Sequence, residues 1–542
     1  MQLNSKFRSL PGLILLVVLM LPSAFFFLRV APLWRDSDGF YQLADKPNIL
    51  QILHWPPLYC FLARIPLVIG DLAAPLFLGR PTPSTSFDNP GFTPIGLLFL
   101  VFLQHALLVA SLLVAVWKLC CTTVTRLAFA LLLVSQPWLY AFAHCVGSEA
   151  FSHPLILITA VATVVWIRQP KPNKQATIFL FVSLFASILS RQINIVLALL
   201  PPVSLLLVQL TRRVLRIHPA SETCRAPAQP AADTRQRWER RGVTSNLSFA
   251  PLLRAALIGG IAILGSNIVT LGLCAWYKVP YRSRVGYSFQ WRLDYLVTLS
   301  RQDREQRLSS AERALSDQAI SYGIQKLGES FTGEQGWQPE ALSQAIYDWV
   351  RQRTDLPFRK QAYETDVRLN RIAHWFLLSG DTTLYLRIAT DSVRTLQFSP
   401  ADLAREPFRA TDYLHGMLNR PSFERLRGLA SFHVPFGTYD SEWQNLWYYH
   451  LWQGWPICLF GIASFVVSGI HLLIRPRSAR AADSLAVSIA FSGVAAGFAI
   501  LNCSVTWVLP RYSAPSCILL LVAFVQAFAR LHLDLSHRDD VI

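Results

Sequence analysis

The chain contains several apolar runs long enough to cross a membrane, and these runs constrain its fold more than any other feature. One of them, "IGLLFLVFLQHALLVASLLVAVW", begins at Ile95 and carries few polar residues. A helix needs roughly 20 predominantly apolar residues to cross the hydrocarbon core of a bilayer. Because a backbone in lipid must satisfy its own N–H and C=O groups, these runs predict transmembrane helices.

Composition supports this interpretation, because the chain is 52% hydrophobic and only 15% charged, with a mean hydropathy of +0.34. These values lie outside the range of soluble globular domains. We therefore predict an all-α polytopic membrane protein with about ten transmembrane helices. The predicted crossings lie near residues 11–33, 95–117, 127–146, 150–167, 176–190, 192–210, 253–277, 446–474, 484–508 and 513–530.

The positive charge of the chain predicts its orientation. Its formal net charge is +17, and many basic residues lie in short segments beside apolar runs, above all in the loop 211–254. An excess of Lys and Arg marks cytoplasmic loops, so we interpret the charge as topology and expect no nucleic-acid partner. The loop 34–94, Glu149, Arg191, the polar segment 278–445 and Arg511 then all face the extracytoplasmic side.

Three regions follow from this topology. Residues 1–277 form an N-terminal transmembrane module that includes the outer first loop 34–94 and the basic cytoplasmic loop 211–254. Residues 278–445 form a large, mainly helical extracytoplasmic segment, and residues 446–542 form the C-terminal transmembrane helices.

Two apolar stretches are each compatible with more than one topology. The run 176–210 has basic residues on both flanks, so we predict a hairpin with Arg191 at its outer tip. The stretch from Pro56 to Gly79 is interrupted by charged residues and prolines. Counting it as a crossing would invert every later loop against the charge rule, so we expect it on the outer membrane surface.

The first candidate site follows the first crossing directly, in "WRDSDGFYQLA" from Trp34. Asp36 and Asp38 form a D-x-D pattern, which binds a divalent cation and a diphosphate in transferases built on an α/β domain. No such domain is predicted here, so a divalent cation is possible but no metal ligand set is predicted. The alternative is a carboxylate that acts as a general base on a hydroxyl acceptor.

The other candidates are charged residues at the outer ends of helices. Glu149 begins a crossing, where a carboxylate also complements the helix dipole. Arg191 and Arg511, the latter followed by Tyr512, provide cations on the same face, and arginine is suited to bidentate contact with phosphate. Each residue alone is explained by an interfacial position. Together they predict an outward-facing cavity with a base and a phosphate-binding group.

Five short segments, taken in order, resemble the GT-C superfamily of membrane glycosyltransferases, which includes the protein O-mannosyltransferase, aminoarabinose transferase and RgtA-like families. These segments are "DSDGFYQLA", "PPLY", "SEA", "SRQ" and "PRYSAP". The resemblance implies a sugar donor on a polyprenyl phosphate and inverting transfer of a hexose or pentose to a lipid, glycan or protein acceptor. It also implies a bacterial inner membrane, with the site facing the periplasm.

The resemblance also implies roles for individual residues. Asp38, three residues before Tyr41, corresponds to the carboxylate that activates the acceptor, with Asp36 as the second choice. Glu149 corresponds to a residue that organises the site, and Arg191 and Arg511 correspond to contacts with the departing lipid phosphate. The expected substrate-binding residues are Tyr41, His54, Glu149, Arg191, Arg511 and Tyr512.

Two other functions compete with this interpretation. A transporter or flippase also needs polar residues in a helical bundle, and a membrane scaffold needs only an outer domain that binds a partner. Transporters tend to place polar residues near the bilayer midplane, often in repeated halves. The charges here lie at helix ends on one face, and the sequence shows no convincing repeat, which favours the transferase.

Overall fold

The fold is taken from a computed structural model of the chain. It describes residues 10–34, 43, 57–78, 85–87, 90–169, 172–215, 249–278, 351–352, 355, 357–378, 382–417, 449–475, 478–506 and 508–539.

The described residues form helices, with one pair of two-residue strands. The first half contains α1 (Leu10–Arg29), β1 (Leu33–Trp34), α2 (Pro57–Leu62), α3 (Arg64–Leu78), α4 (Pro94–Leu119), α5 (Thr123–Val134), α6 (Pro137–Ala143), β2 (Cys145–Val146), α7 (Glu149–Arg168), α8 (Lys174–Ser190), a 3₁₀ helix (Gln192–Leu199), α9 (Leu200–Val214) and α10 (Phe249–Trp276). The second half contains α11 (Phe358–Leu378), α12 (Thr382–Gln397), α13 (Pro400–Met417), a 3₁₀ turn (Tyr449–Leu451), α14 (Cys458–Ile474), α15 (Ala479–Val505), a 3₁₀ turn (Pro510–Ser513) and α16 (Ala514–Asp539).

The all-α polytopic membrane class is confirmed. In the described part of the chain, 8 helices are long and apolar enough to cross a membrane, or up to 9 if a bent pair counts as one span. Two shorter apolar helices, α8 and α14, lie at two further predicted crossings. The crossing predicted to begin near 446 starts later, at Cys458, because a 3₁₀ turn and an irregular stretch precede α14.

The crossing predicted over 127–146 is the bent pair. Helices α5 and α6 meet at an angle of 63°. Pro137 begins α6, and the preceding Gln136 has φ −93° and ψ 90°, outside the helical region. Proline has no backbone N–H and disfavours the helical conformation in the residue before it, so the helix breaks at this point.

The hairpin with its tip at Arg191 agrees with the structure. Helix α8 ends at Ser190, and Arg191 is extended at φ −155° and ψ 130° before the 3₁₀ helix. At the far end of the bundle, Arg212 of α9 meets Asp483 of α15, and Arg168 of α7 donates to the carbonyl of Lys118 in α4. The basic ends of several helices therefore lie together, opposite Arg191.

Helices α2 and α3 together are long and apolar enough to span a membrane. The sequence instead predicts that they lie on the outer membrane surface. Their contacts fall on the N-terminal half of α4. Tyr59 reaches Gln104, and Asp71 reaches Thr93 at the start of that helix. This position beside the outer end of α4 is consistent with the surface placement, which stays a prediction.

Asp71 fixes the start of α4. Its carboxylate accepts hydrogen bonds from the backbone N–H of Thr93 at 2.7 Å and of Gly91 at 2.8 Å, and from the Thr93 hydroxyl at 2.6 Å. Thr93 then caps the helix by accepting from the N–H of Gly96 at 3.0 Å. A buried carboxylate is tolerated here because backbone and hydroxyl donors surround it.

Helix α13, from the segment predicted to face outward, packs into the bundle. Phe408 of α13 is 1% exposed and belongs to the main hydrophobic core, where its ring lies 6.3 Å from that of Phe26 in α1. Three other apolar residues of α13 are buried in the same core, Ala401, Leu403 and Ala404. Helix α13 therefore packs against the end of the bundle at which α1 ends.

Gly70→Ala tests the close approach of α3 to α4. A Cβ at this position would lie 2.7 Å from the Cα of Gly96 and 2.8 Å from the carbonyl oxygen of Ile95, and both are backbone atoms. We expect the variant to lose about 1–3 kcal/mol of stability, as for an overpacked core. The control is Gly260→Ala in α10, whose added Cβ meets nothing within 4 Å. Equal melting temperatures for both variants in detergent would refute this packing.

Candidate active site

A short parallel strand pair brings together two distant parts of the chain. Leu33 pairs with Cys145 and Trp34 with Val146. The backbone N–H of Leu33 also donates to the carbonyl of His144 at 3.0 Å. The first outer loop, which begins after Trp34, and helix α7, which begins at Glu149, therefore start from neighbouring points.

Buried polar side chains hold this strand pair in place. The amide nitrogen of Gln104 donates to the carbonyls of Ala143 at 2.9 Å and Cys145 at 3.1 Å. The Tyr59 hydroxyl donates to the amide oxygen of Gln104 at 3.3 Å. These bonds tie the outer half of α4 to the chain just before α7.

Two buried histidines join the end of α1 to the same segment. His144 Nε2 lies 2.8 Å from the carbonyl of Val30, so it is the donor of that bond. His144 Nδ1 then accepts from His105 Nε2 at 3.1 Å, and His105 Nδ1 accepts from the Ser23 hydroxyl at 2.9 Å. This is one self-consistent arrangement of two neutral imidazoles, and it joins the chain just before β1 to the chain just before β2.

Helix α13 is attached to the outer edge of the strand pair. The backbone N–H of Trp34 donates to the Thr411 hydroxyl oxygen at 2.6 Å, and this hydroxyl lies 2.8 Å from the carbonyl of Pro407. Trp34 is 2% exposed and Thr411 is fully buried. The covering segment therefore meets the membrane module where the first loop begins.

The central feature of the candidate site is an ion pair between two predicted residues. Arg191 Nη1 lies 3.2 Å from Glu149 Oε1, and the side chains are 13% and 1% exposed. A charge buried this deeply needs a paired counter-charge, because desolvation is costly. The structure thus brings together the residue that starts α7 and the tip of the hairpin.

Asn194 secures this arrangement, although the sequence interpretation did not select it. Its amide nitrogen donates to the Ser152 hydroxyl at 2.9 Å and to the Ser187 carbonyl at 2.8 Å. Its backbone N–H donates to the carbonyl of Arg191 at 3.0 Å. Asn194 therefore ties the turn at Arg191 to α7, and its only signal in the sequence is an amide within an apolar run.

His153 is the second residue that the sequence interpretation did not select. It follows Glu149 by one helical turn on the same face of α7 and is 2% exposed. The rings of Phe142 and Trp138 lie edge-on to it, with centroids at 4.8 Å and 5.8 Å. Within the described contacts neither ring nitrogen has a hydrogen-bond partner. The i, i+4 spacing in "SEAFSH" is the signal that could have identified it.

Arg511 and Tyr512 lie on a separate short segment, the 3₁₀ turn before α16. The Arg511 guanidinium carbon is 5.2 Å from the centroid of the Tyr512 ring, and the Tyr512 carbonyl accepts from the Asn502 amide at 3.2 Å. On α15, Asn502 follows Gly497 by roughly 7.5 Å of helix rise. A Cβ at Gly497 would touch Val196, which lies just after the hairpin tip. The segments that carry Arg191 and Arg511 therefore flank the same end of α15.

Four predicted residues, Asp36, Asp38, Tyr41 and His54, lie outside the described residues. Among the residues that the structure does describe, no group of three or more His, Cys, Asp or Glu side chains is arranged to hold a metal ion. A divalent cation therefore remains a hypothesis attached to Asp36 and Asp38.

The comparisons with known proteins add one similarity. No protein-family model and no curated protein matches the sequence. A similar solved structure is that of the archaeal oligosaccharyltransferase AglB from Archaeoglobus fulgidus, in complex with an inhibitory peptide and a dolichol-phosphate. It aligns with 98% of this chain at 12% identity and a TM-score of 0.38. The match spans 52% of that protein.

A double-mutant cycle tests the Glu149–Arg191 pair. We expect Glu149→Gln and Arg191→Gln each to cost about 3–5 kcal/mol, because each leaves the other charge buried without its partner. The double variant should cost clearly less than the sum of the two, measured by unfolding in detergent. The control pair is Arg394 and Asp391, 3.6 Å apart with Arg394 66% exposed, where we expect a coupling below about 1 kcal/mol. Additive effects at Glu149 and Arg191 would argue against the pair.

Proposed function

We propose that the chain is an integral membrane glycosyltransferase that moves a hexose or pentose from a polyprenyl phosphate to an acceptor on the extracytoplasmic face, with inversion. The observation that carries this proposal is the buried Glu149–Arg191 pair at the end of the bundle where the first outer loop begins. A cation held at that position suits a reaction in which a lipid phosphate leaves.

The tether to Trp34 supports a role for the aspartates of the first loop. Asp38 follows Trp34 by four residues, and Glu149 follows Val146, the strand partner of Trp34, by three. An extended chain spans at most about 3.6 Å per residue, which limits these separations to roughly 14 Å and 11 Å. These short separations allow Asp38 to approach the Glu149–Arg191 pair, and we propose that it does so.

In the proposed reaction Asp38 is the general base and takes the proton of an acceptor hydroxyl. The hydroxyl oxygen forms a bond to the anomeric carbon of the sugar from the face opposite the phosphate. The bond from that carbon to the phosphate oxygen breaks, and the polyprenyl phosphate leaves with the electron pair. One displacement at the anomeric carbon inverts its configuration.

The arginines assist the leaving group. A guanidinium has five N–H donors, which allows Arg191 to contact both Glu149 and a phosphate oxygen. Arg511 is the second proposed phosphate contact, with its guanidinium stacked on Tyr512. Because the departing group is an anion that positioned cations stabilise, the step needs no general acid. Glu149 orients Arg191, while Tyr41 and His54 complete the proposed substrate-binding set.

The proposal extends to the partners and to the location of the enzyme. The lipid tail of the donor would lie among the apolar helices, and the acceptor, a lipid, glycan or protein, would approach beneath the covering segment that includes α13. A bacterial inner membrane with the site facing the periplasm accommodates these partners and the predicted orientation.

Release of free polyprenyl phosphate tests the function directly. The full chain in lipid is given a panel of polyprenyl-phosphate sugars, with membranes as the source of acceptor. We expect sugar-dependent release by the wild type, and a loss of about 10²–10⁴-fold in Asp38→Asn, since general bases contribute this much. Asp36→Asn should keep most of the activity. The exposed carboxylate of Asp355 provides the control, Asp355→Asn.

Two outcomes would contradict the proposal in different ways. Wild-type turnover in Asp38→Asn would remove Asp38 as the base but leave the transferase intact. Absence of release from every donor would contradict the transferase itself and favour a transporter or a scaffold.

A further inference from the structure

Several helices end together at the pole of the bundle opposite Glu149. Helix α7 runs for 20 residues from Glu149 to Arg168, which is roughly 30 Å of helix. At its far end Arg168 lies near Arg212 of α9, Arg530 of α16 and Asp483 of α15. We call Arg168, Arg212 and Arg530, together with Asp483, the arginine cluster.

One arginine of the cluster, Arg212, already forms an ion pair with the carboxylate of Asp483. Arg212 meets Asp483 in a bidentate geometry, with Nε at 2.7 Å from Oδ1 and Nη2 at 2.8 Å from Oδ2. Arg530 Nη1 is farther from the same carboxylate, at 3.8 Å, and donates to the carbonyl of Arg480 at 3.4 Å. Asp483 therefore balances Arg212 much more effectively than Arg530.

Arg168 has the least complete set of contacts. Its Nη1 donates to the carbonyl of Lys118 at 3.1 Å, which caps the end of α4. Its Nε is buried and has no hydrogen-bond partner in the part of the chain that the structure describes.

We propose that the arginine cluster binds a phosphate group. Among the described residues, Arg212 and Arg530 meet one carboxylate, and Arg168 adds a third guanidinium group at the same end of the bundle, where membrane helices end. Phosphate oxygens accept hydrogen bonds from guanidinium forks, and basic pockets between membrane helices hold anionic lipid headgroups. A phospholipid headgroup or a soluble phosphate compound provides this chemistry. The site lies opposite the proposed active site and does not depend on the transferase function.

Thermal unfolding of the purified full chain in mixed micelles tests this site. The additions are phosphatidylglycerol, zwitterionic phosphatidylcholine, or inorganic phosphate. We expect phosphatidylglycerol to raise the melting temperature of the wild type above that in phosphatidylcholine, and Arg168→Gln to lose most of this shift. The control is Arg126→Gln, which removes the same charge at the same end. Arg126 stacks 4.2 Å from the Trp117 ring and donates to the Cys120 carbonyl at 3.3 Å.

The outcomes separate the possible sources of phosphate. A phosphatidylglycerol shift that Arg168→Gln loses and Arg126→Gln keeps supports a lipid headgroup. The same pattern with inorganic phosphate supports a soluble source. Equal shifts in both variants, or no shift in the wild type, would overturn the site. If Arg168→Gln does not fold, Arg168→Lys keeps the charge but lacks the planar set of guanidinium donors, and an undiminished shift there would also overturn the site.

Discussion

Glu149 is a carboxylate buried at the end of a membrane helix, and such a group requires a positive partner. The arrangement of the outer end of the bundle depends on this pairing. Arg191 provides the partner from another part of the chain, because the hairpin between α8 and α9 turns beside the start of α7. Asn194 then ties the turn to α7. The break in helical structure at Arg191, before the 3₁₀ helix, lets the chain turn and brings this side chain to Glu149.

The two ends of the bundle carry different arrangements of charged side chains. At one end Glu149 and Arg191 form a buried ion pair, close in sequence to the strand pair. At the other end arginines outnumber the one described carboxylate that they share. This asymmetry fits chemistry with a departing anion on one face and contact with anionic groups on the other. The same asymmetry is what the distribution of basic loops predicts for a chain inserted in one orientation.

The membrane helices could be predicted from the sequence because each is encoded locally, as an apolar run of sufficient length. The hairpin at Arg191 could also be predicted, since basic residues on both flanks of the run require an even number of crossings. Other features have no such local signal. The strand pair of Leu33–Trp34 with Cys145–Val146 is too short to show a period, and the roles of Asn194 and His153 depend on neighbours distant in sequence. The insertion of Phe408 into the core likewise depends on how α13 meets α1.

The most direct test of this account is an experimental structure of the full chain in a lipid nanodisc with bound polyprenyl phosphate. We expect phosphate density within hydrogen-bonding distance of Arg191, on the side of the Glu149–Arg191 pair that faces the first outer loop, with the lipid tail between helices. Phosphate density remote from Arg191, or an Arg191 side chain turned away from Glu149, would contradict the proposal that this ion pair is the centre of the active site.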